Sequence, residues 1–216
     1  MKNIISLILL STSLLVSCGK DEKSSKSNSG VIRTPALEEQ AAEGSYRAIL
    51  RPFNNHLSGF LPTGVAEIKI SGDSVQVKTL LDDDARVVHI QSIHQGTACP
   101  TIINDTNKDG LIDIAEAGVV SGKVFISLDG NLNSEEEGAG LYPFGGDFTY
   151  VENASLSKFE SDAKARTGQG LNLSGRVVLI HGVNGATQLP DSVATIGTFN
   201  RQASIPIACG ILKREL

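Results

Sequence analysis

The chain has 216 residues, which is enough for one domain of ordinary size together with a tail. Its formal net charge is −5, and no run of basic residues interleaved with aromatic side chains occurs, so we expect no nucleic-acid partner. Aromatic residues make up 5% of the chain and tryptophan is absent, so the core must be built from Val, Ile, Leu and Ala.

The amino end has the parts of a removable signal peptide. Lys2 supplies a positive charge, and Ile4 to Val16 form an uncharged, mainly apolar run that is too short to span a bilayer. The run ends in Leu15-Val16-Ser17-Cys18, which resembles the lipobox of bacterial lipoprotein precursors. The resemblance implies that residues 1–17 are removed and that Cys18 carries the lipid. The alternative is an ordinary signal peptide with a chance cysteine.

A lipid-bearing Cys18 would hold the protein on a membrane without a spanning helix, because its acyl chains bury many methylene groups. Gly19 follows the cysteine, where Asp would signal inner-membrane retention, so we expect a lipid-anchored protein of the cell envelope, at the outer membrane. The membrane is the expected partner, and the sequence indicates no particular protein partner. Residues 18–44 are expected to form a flexible tether, since 19–30 contains only Gly, Lys, Asp, Glu, Ser and Asn. A short helix is predicted over 36–43.

From Ser45 onward the pattern predicts short β-strands joined by turns that contain Gly and Asp. The clearest feature is a hairpin, in which 65–70 and 74–80 alternate apolar and polar residues around Ser71-Gly72-Asp73. The other predicted strands are 46–53, 86–94, 123–128, 176–181, 193–199 and 207–212. The expected fold class is therefore all-β, an antiparallel sandwich or barrel with long loops and one or two short helices.

One helix is predicted in a loop, over residues 155–167. Ser157 and Glu160 stand at capping-box spacing there, and we expect the helix to lie outside the sheets.

Two cysteines, Cys99 and Cys209, remain once Cys18 is assigned to lipid. An even pair in an oxidising compartment predicts a disulfide. It would close a loop of about 110 residues and stabilise the fold by about 4 to 5 kcal/mol. Two separate buried thiols are the alternative.

Three segments, in chain order, carry a likeness to one family. They are His89-Ile90-Gln91-Ser92-Ile93-His94-Gln95-Gly96 with Cys99 beyond it, Ser174-Gly175-Arg176-Val177-Val178-Leu179-Ile180-His181, and Ile207-Ala208-Cys209-Gly210-Ile211-Leu212. They resemble the His-Gly-Phe-His-Val-His segment, the Gly-Arg-x-x-Val-x-His strand and the closing Leu-Ala-Cys-Gly-Val-Ile of copper/zinc superoxide dismutases. The resemblance covers 45–216 and implies an eight-stranded Greek-key barrel or sandwich with a Cys99–Cys209 disulfide.

By position in that resemblance, His94 and His181 match two copper ligands, and His89 matches a histidine that supports the site. Ser92 stands where another copper ligand belongs, and Pro206 stands where the family places the Arg that guides superoxide.

The remaining ligands of the dinuclear centre are missing, because no histidine occurs between Cys99 and Arg176 and the only other one is His56. Two imidazoles cannot hold a copper–zinc pair. We therefore expect no copper, no zinc, no catalytic residue and no dismutase activity. The alternative is a divergent dismutase, or a copper-binding envelope protein, that uses His94 and His181.

Residues 105–116, Asp-Thr-Asn-Lys-Asp-Gly-Leu-Ile-Asp-Ile-Ala-Glu, resemble the twelve-residue calcium loop of EF-hand proteins. Calcium takes six to eight oxygen donors. The resemblance implies ligands from side chains, from one carbonyl and from the closing carboxylate, namely Asp105, Asn107, Asp109, Leu111, Asp113 and Glu116. Gly110 permits the sharp turn, and Ile112 holds the position at which EF-hands pair in a small sheet.

No helix is predicted before this loop, since Pro100 lies in an extended stretch, and the helix after it must be short. We therefore expect an isolated EF-hand-like loop within a β-domain, with calcium as cofactor and a dissociation constant of about 0.1 to 1 mM. The alternative is a polar turn that binds no ion. A second acidic segment begins at Asp129 but has Gly140 at the closing position, so we expect a solvated loop there. A second bound ion in this segment is the alternative.

Overall fold

In a computed structural model of the protein, the structure describes residues 43–57, 61–132 and 141–216. The expected signal peptide, Cys18, nearly all of the tether with its short helix, and Gly140 therefore lie outside the described residues. In the part of the chain that is described, no helix is both long and apolar enough to cross a membrane.

The described part of the chain is mostly β-structure. Its strands are β1 (Gly44–Pro52), β2 (Thr63–Ser71), β3 (Ser74–Asp82), β4 (Val87–Val88), β5 (Gln91–His94), β6 (Val124–Ser127), β7 (Phe144–Gly145), β8 (Phe148–Ser155), β9 (Val177–His181), β10 (Pro206–Ile211) and β11 (Lys213–Arg214). Its helices are α1 (Ile114–Ser121), α2 (Leu156–Thr167) and α3 (Arg201–Ser204), with one 3-10 turn at Ile102–Asn104.

Eight of the strands form one antiparallel sheet that curls into a half-barrel. Their order is β6-β5-β9-β10-β1-β2-β3-β8, while β11 pairs with β1 and the short β4 and β7 pair with each other. The first strand of the chain thus lies beside the last long one, at the centre of the sheet. The expected all-β class is confirmed as a mostly β fold, but the described sheet is curled and open rather than a closed barrel.

The β2–β3 hairpin is confirmed as predicted. The two strands pair along their full lengths, from Thr63 opposite Asp82 to Ser71 opposite Ser74, and Gly72 in the turn has a φ of 55°. Alternate residues of both strands are buried in the main core, as the period of a half-buried strand requires.

Helix α2 packs at the open side of the half-barrel, in contact with the two edge strands β6 and β8. Phe159 and Ala163 are fully buried in the main core, and Arg166 Nη1 donates to Ser127 Oγ of β6 at 3.0 Å. The predicted helix is therefore confirmed and lies outside the strands of the sheet, but it packs against the core, which the sequence did not indicate. The two buried side chains are four residues apart, so they share one face and give the helix an apolar contact with the core.

The helix also begins earlier than its predicted cap. Ser155 is the N-cap and its hydroxyl accepts the Lys158 N–H at 3.2 Å, so the capping-box pair of Ser157 and Glu160 is not the one that the helix uses.

Residues 193–199, predicted as a strand, are irregular instead and contain one turn at 197–198. Their N–H groups find side-chain acceptors, since Ala194 N–H donates to Asp113 Oδ2 at 2.8 Å and Ile196 N–H donates to Ser204 Oγ at 2.9 Å. Gly197 has a φ of 50°, which no strand residue adopts. The predicted strand 86–94 is likewise divided into β4 and β5, and β8 was not predicted at all.

The disulfide between Cys99 and Cys209 is present, with 5.9 Å between the two Cα atoms. Cys209 is buried beside Ile112, Val177 and Leu179. The alternative of two separate thiols is therefore wrong. The bond ties the segment that leads into the 105–116 loop to the middle of β10.

Candidate functional site

The 105–116 loop follows the 3-10 turn at Ile102–Asn104 and runs into helix α1, so that its last three residues form the start of that helix. Two residues within it have left-handed backbone conformations, Lys108 with a φ of 60° and Gly110 with a φ of 87°. These two positions turn the chain back on itself, and the Gly110 N–H then donates to Asp105 Oδ2 at 2.9 Å. The first expected ligand is therefore held against the middle of the loop.

Side-chain oxygens in the first half of the loop accept hydrogen bonds from nearby main-chain N–H groups. Asp109 N–H donates to Asn107 Oδ1, and Leu111 N–H donates to Asp109 Oδ1, both at 2.9 Å. The second oxygen of Asp109 accepts from Asn107 Nδ2 at 3.1 Å and from the Ser192 hydroxyl. Asp105, Asn107 and Asp109 are thus oriented by hydrogen bonds within the loop. Ser192, which is distant in sequence, adds one further contact to Asp109.

The second half of the loop is organised by the start of helix α1. Asp113 is its N-cap, and Asp113 Oδ1 accepts the N–H groups of Ala115 and Glu116 at 2.9 and 3.0 Å. Glu116 Oε1 reaches back to the N–H groups of Thr106 at 2.7 Å and Asn107 at 3.2 Å. Its carboxylate therefore closes the loop by joining the end to the beginning.

Two carboxylates of the loop are held in their ionised form. Partial burial alone would raise the pKa of Asp109, but hydrogen bonds from Ser192, Leu111 and Asn107 leave it below its usual value. Burial acts on Glu116 in the same direction, and hydrogen bonds from Thr106, Asn107 and Asp113 again lower its pKa overall. The loop is thus an anionic turn at neutral pH.

The loop contains oxygen donors of the type that calcium prefers. Its carboxylates do not, however, converge on one point. Asp105 Oδ1 is buried and has no hydrogen-bond partner among the described residues. Within the same residues, however, no three His, Cys, Asp or Glu side chains are grouped so that they could hold a metal ion. Calcium coordination would therefore require Glu116, now bonded to main-chain N–H groups, to turn toward the ion.

The loop is fixed to the body of the domain by a residue that the sequence did not single out. Asn54 Nδ2 donates to the Ile112 carbonyl at 2.8 Å, and the Ile112 N–H donates to Asn54 Oδ1 at 3.0 Å. Asn54 Nδ2 also donates to the Pro206 carbonyl at 3.0 Å. No sequence pattern links positions 54 and 112, because these contacts depend on the folded sheet.

His94 is buried on β5 with both ring nitrogens in hydrogen bonds. Nδ1 lies 2.9 Å from the Gly122 carbonyl, to which it donates, and Nε2 lies 2.9 Å from Ser92 Oγ, from which it accepts. Burial lowers the pKa of His94, and the bond to Gly122 opposes that effect only in part. His94, a copper ligand only in the alternative interpretation, is thus a neutral imidazole whose Nε2 lone pair accepts a hydrogen bond from Ser92.

His181, on the neighbouring strand β9, differs from His94 in having one free nitrogen. Nδ1 donates to the Ser204 carbonyl at 2.7 Å, while Nε2 is buried without a hydrogen-bond partner among the described residues. Complete burial lowers the pKa of His181 to about 3. Its Nε2 lone pair is thus free to bind a metal or a water molecule.

His89 is enclosed by carbonyl groups. Nδ1 lies 2.9 Å from the His181 carbonyl and Nε2 lies 2.8 Å from the Gly145 carbonyl, with Asp83 Oδ2 at 3.7 Å. Both ring nitrogens thus face carbonyl oxygens, which only accept hydrogen bonds. Burial raises the pKa of Asp83, and the His89 charge opposes that effect. His89 thus links β4, β7 and β9 rather than offering a lone pair.

The second acidic segment contributes one buried carboxylate. Asp129 is fully buried, Asp129 Oδ1 accepts the Asn131 N–H at 3.1 Å, and burial raises its pKa. Residues 133–140 lie outside the described residues, so the expectation for this segment stays a prediction.

No protein-family model matches the chain, and no curated protein is significantly similar to it. The class of the protein is therefore described by its fold and its disulfide. It is a mostly antiparallel β half-barrel whose open side is covered by helix α2, with a disulfide between Cys99 and Cys209.

Proposed function

We propose that the chain is a lipid-anchored protein of the bacterial cell envelope that binds one calcium ion in the 105–116 loop. In this proposal the β half-barrel is of the superoxide dismutase type but carries out no catalysis. Calcium has a structural role, in which it orders the excursion between Cys99 and β6.

The observation that carries the calcium proposal is the preformed turn of the loop. Lys108 and Gly110 are left-handed, and Asp105, Asn107 and Asp109 are each oriented by main-chain donors. Hydrogen bonds of this kind use one lone pair of an oxygen and leave another for a cation. The ordering cost of the first half of the loop is therefore already met before calcium binds.

The hydrogen bonds of the loop also show how the alternative, a turn that binds no ion, could be stable. Because Glu116 is stabilised by Thr106 and Asn107, the loop can persist without a cation. Calcium must compete with these bonds for the Glu116 carboxylate. This competition agrees with a modest affinity, in the range of about 0.1 to 1 mM that extracellular modules have.

The proposed superoxide dismutase type rests on where the three resembling segments fall. They form β5, β9 and β10, which are consecutive neighbours in the sheet. Cys99 and Cys209, which the resemblance pairs, are bonded. The likeness thus concerns one continuous patch of the sheet, and the absence of further histidines in the sequence argues against a dinuclear metal centre.

Calorimetric titration with calcium tests the site directly, with magnesium as a second titrant. We expect one calcium per chain, and we expect Asp105→Asn and Glu116→Gln each to weaken binding by about tenfold or more, since each removes a charge from the shell. Glu160→Gln, on helix α2, is the matched control and should bind as the parent does. Equal heats from the parent and from both loop variants would overturn the calcium proposal.

Lipid attachment has its own test, since Cys18 lies outside the described residues. We expect cells that express the chain to incorporate labelled fatty acid into it, and the Cys18→Ser variant to incorporate none. Label that persists in the Cys18→Ser variant would contradict attachment at this residue.

A second candidate function is favoured by the free Nε2 of His181. A copper ion bound there would need His94 as a second nitrogen ligand, and that requires Ser92 to release His94 Nε2. Elemental analysis of the purified protein distinguishes the two functions. One copper per chain, lost in His181→Asn, together with superoxide turnover would select the dismutase; calcium without copper or zinc is the result that we expect.

A further inference from the structure

A groove of about 540 Å³ runs along the outer face of β1, beside β10 and β11. We call it the basic groove. Its walls bring together basic and apolar side chains from the two ends of the domain, together with the Cys99–Cys209 disulfide; those used below are Arg47, Ile49, Arg51, Ile211, Lys213 and Arg214.

Strand geometry explains why these side chains share one surface. Tyr46, Ala48 and Leu50 point into the core, so Arg47, Ile49 and Arg51 point outward. The pairing register places Lys213 opposite Arg47 and Cys209 opposite Arg51. The sequence shows no basic cluster, because Arg47 and Arg51 are more than a hundred positions away from Lys213 and Arg214.

The groove carries an excess of positive charge on a chain whose net charge is −5. Arg47 lies 3.6 Å from Glu67, and Arg214 donates to the Glu43 carbonyl at 2.7 Å. Arg51 and Lys213 are exposed and take part in no salt bridge within the described residues. Glu215 is the one carboxylate among the lining residues, so two cations are available to an anionic ligand.

The floor of the groove is apolar. Ile49 is 59% exposed between two arginines, and Ile211 and the disulfide continue this surface. Gly210 brings β10 close to β1, since a Cβ atom there would lie 2.7 Å from the Ile49 carbonyl oxygen. A ligand that matches both surfaces has an anionic group and an adjoining apolar part, as phospholipids do.

The position of the groove points to a membrane as the source of that ligand. Strand β1 begins at Gly44, and Arg214 binds the carbonyl of the preceding Glu43. Glu43, the described residue nearest in sequence to Cys18, therefore lies beside the groove. A tether of this kind holds the groove at a high effective concentration near the bilayer that carries the lipid. Basic side chains close to an anionic leaflet are attracted to it.

We propose that the basic groove binds the anionic headgroups of the bilayer in which the protein is anchored, and so holds the β-domain against the membrane surface. This inference rests on the proposed lipid attachment for its location and not for its chemistry. Arg51 and Lys213 contact the phosphates, and Ile49 and Ile211 contact the adjoining glycerol and upper acyl region.

Vesicle sedimentation tests the groove without the lipid anchor. The protein is the chain 18–216 with Cys18→Ser, which contains the whole compact unit 36–216. We expect it to bind vesicles made of equal parts phosphatidylcholine and phosphatidylglycerol, and not vesicles of phosphatidylcholine alone. Arg51→Glu/Lys213→Glu should weaken binding by about tenfold or more. The milder Arg51→Gln/Lys213→Gln should give an intermediate loss.

Arg86→Glu/Lys164→Glu is the matched control, because both residues are exposed, both lie outside the groove, and the change in net charge is the same. An equal loss in the control would overturn the proposal, as would equal binding to both kinds of vesicle. Displacement by millimolar inorganic phosphate would indicate a free-anion site and would also contradict it. Unchanged melting temperatures and calcium titrations in the groove variants establish that they fold.

The result of the vesicle sedimentation does not depend on whether Cys18 is acylated in cells. If fatty-acid labelling fails but anionic vesicles are bound through Arg51 and Lys213, the lipid attachment is wrong and the groove stands. If labelling succeeds but the groove variants bind vesicles as the parent does, the groove proposal alone is wrong.

Discussion

Asn54 and Ile112 form a reciprocal pair of hydrogen bonds. The side-chain amide of Asn54 bonds to both main-chain groups of Ile112, as a neighbouring β-strand would. Nδ2 donates to the Ile112 carbonyl at 2.8 Å and Oδ1 accepts the Ile112 N–H at 3.0 Å, and both residues are buried. In the EF-hand resemblance, Ile112 holds the position that pairs with a second loop. Here Asn54 satisfies the same two groups, which allows a single loop to stand alone in a β-domain.

Removal of this amide should destabilise the domain. We expect Asn54→Ala to lower the free energy of unfolding by about 2 to 4 kcal/mol, because it leaves buried main-chain groups of Ile112 and Pro206 without partners. It should also weaken calcium binding, since the loop loses its attachment. Urea unfolding and calcium titration measure the two effects. Asn55→Ala, at the exposed neighbouring position, is the control, and a comparable loss there would argue against this explanation.

Acid should destabilise the protein through His181, whose imidazole is fully buried. The pKa of His181 is lowered from 6.5 to about 3 by burial. Between these values the unfolded chain takes up a proton that the folded chain does not, so stability falls as the pH falls from 6.5 toward 3. Each such group contributes about 1.4 kcal/mol per pH unit over that interval. Stability measured against pH in a chelating buffer gives the slope.

The variant His181→Asn isolates this contribution. Its amide can still donate to the Ser204 carbonyl but does not titrate, so the slope should decrease by about one proton. His56→Asn, at an exposed position, is the control for the loss of an imidazole. A slope that is the same in His181→Asn and in the parent would mean that His181 is not buried as a neutral ring.

The disulfide should account for a large part of the stability. Cys99 and Cys209 are 110 positions apart, and the chain-entropy relation assigns such a crosslink about 4 to 5 kcal/mol. We expect Cys99→Ser/Cys209→Ser to lose about that amount in urea unfolding. Cys18→Ser removes a cysteine outside the pair and serves as the control. A double variant as stable as this control would exclude the crosslink as a stabilising element.

Much of the sheet is predictable from local pattern, because its strands alternate buried and exposed residues. Thr63 to Asp82 is the clearest case, since a glycine turn joins two such runs. Strand β8 is missed because apolar and polar residues do not alternate with its two faces: apolar Val151 is exposed, whereas polar Glu152 lies on the same side as buried Tyr150. The stretch from Val193 to Phe199 has strand-like residues, yet side-chain acceptors on Asp113 and Ser204 take its N–H groups.

The candidate site is predictable to the extent that its residues are contiguous. The order of residues in 105–116 predicts the turn, its glycine and a short helix after it, but not that Asp113 caps this helix. Asn54, Ser192 and the basic groove cannot be found in this way, because they meet other residues only once distant strands pair.

The role of α2 as the cover of the half-barrel predicts a large effect for one side chain. Phe159 is fully buried in the main core between the edge strands, so Phe159→Ala should cost about 3 to 5 kcal/mol. Ser161→Ala, at an exposed position of the same helix, should change stability little. Urea unfolding compares the two. If both variants unfold at the parent's midpoint, α2 does not stabilise the open side of the sheet.

Thermal unfolding with and without calcium tests the central claim most directly. At about 10 mM calcium, a dissociation constant of about 0.1 to 1 mM stabilises the folded state by about 1.4 to 2.7 kcal/mol. We expect Tm to rise by several degrees over that in a calcium chelator, and we expect Asp109→Ala to lose most of that rise. A parent Tm that is the same in calcium and in chelator would contradict the account.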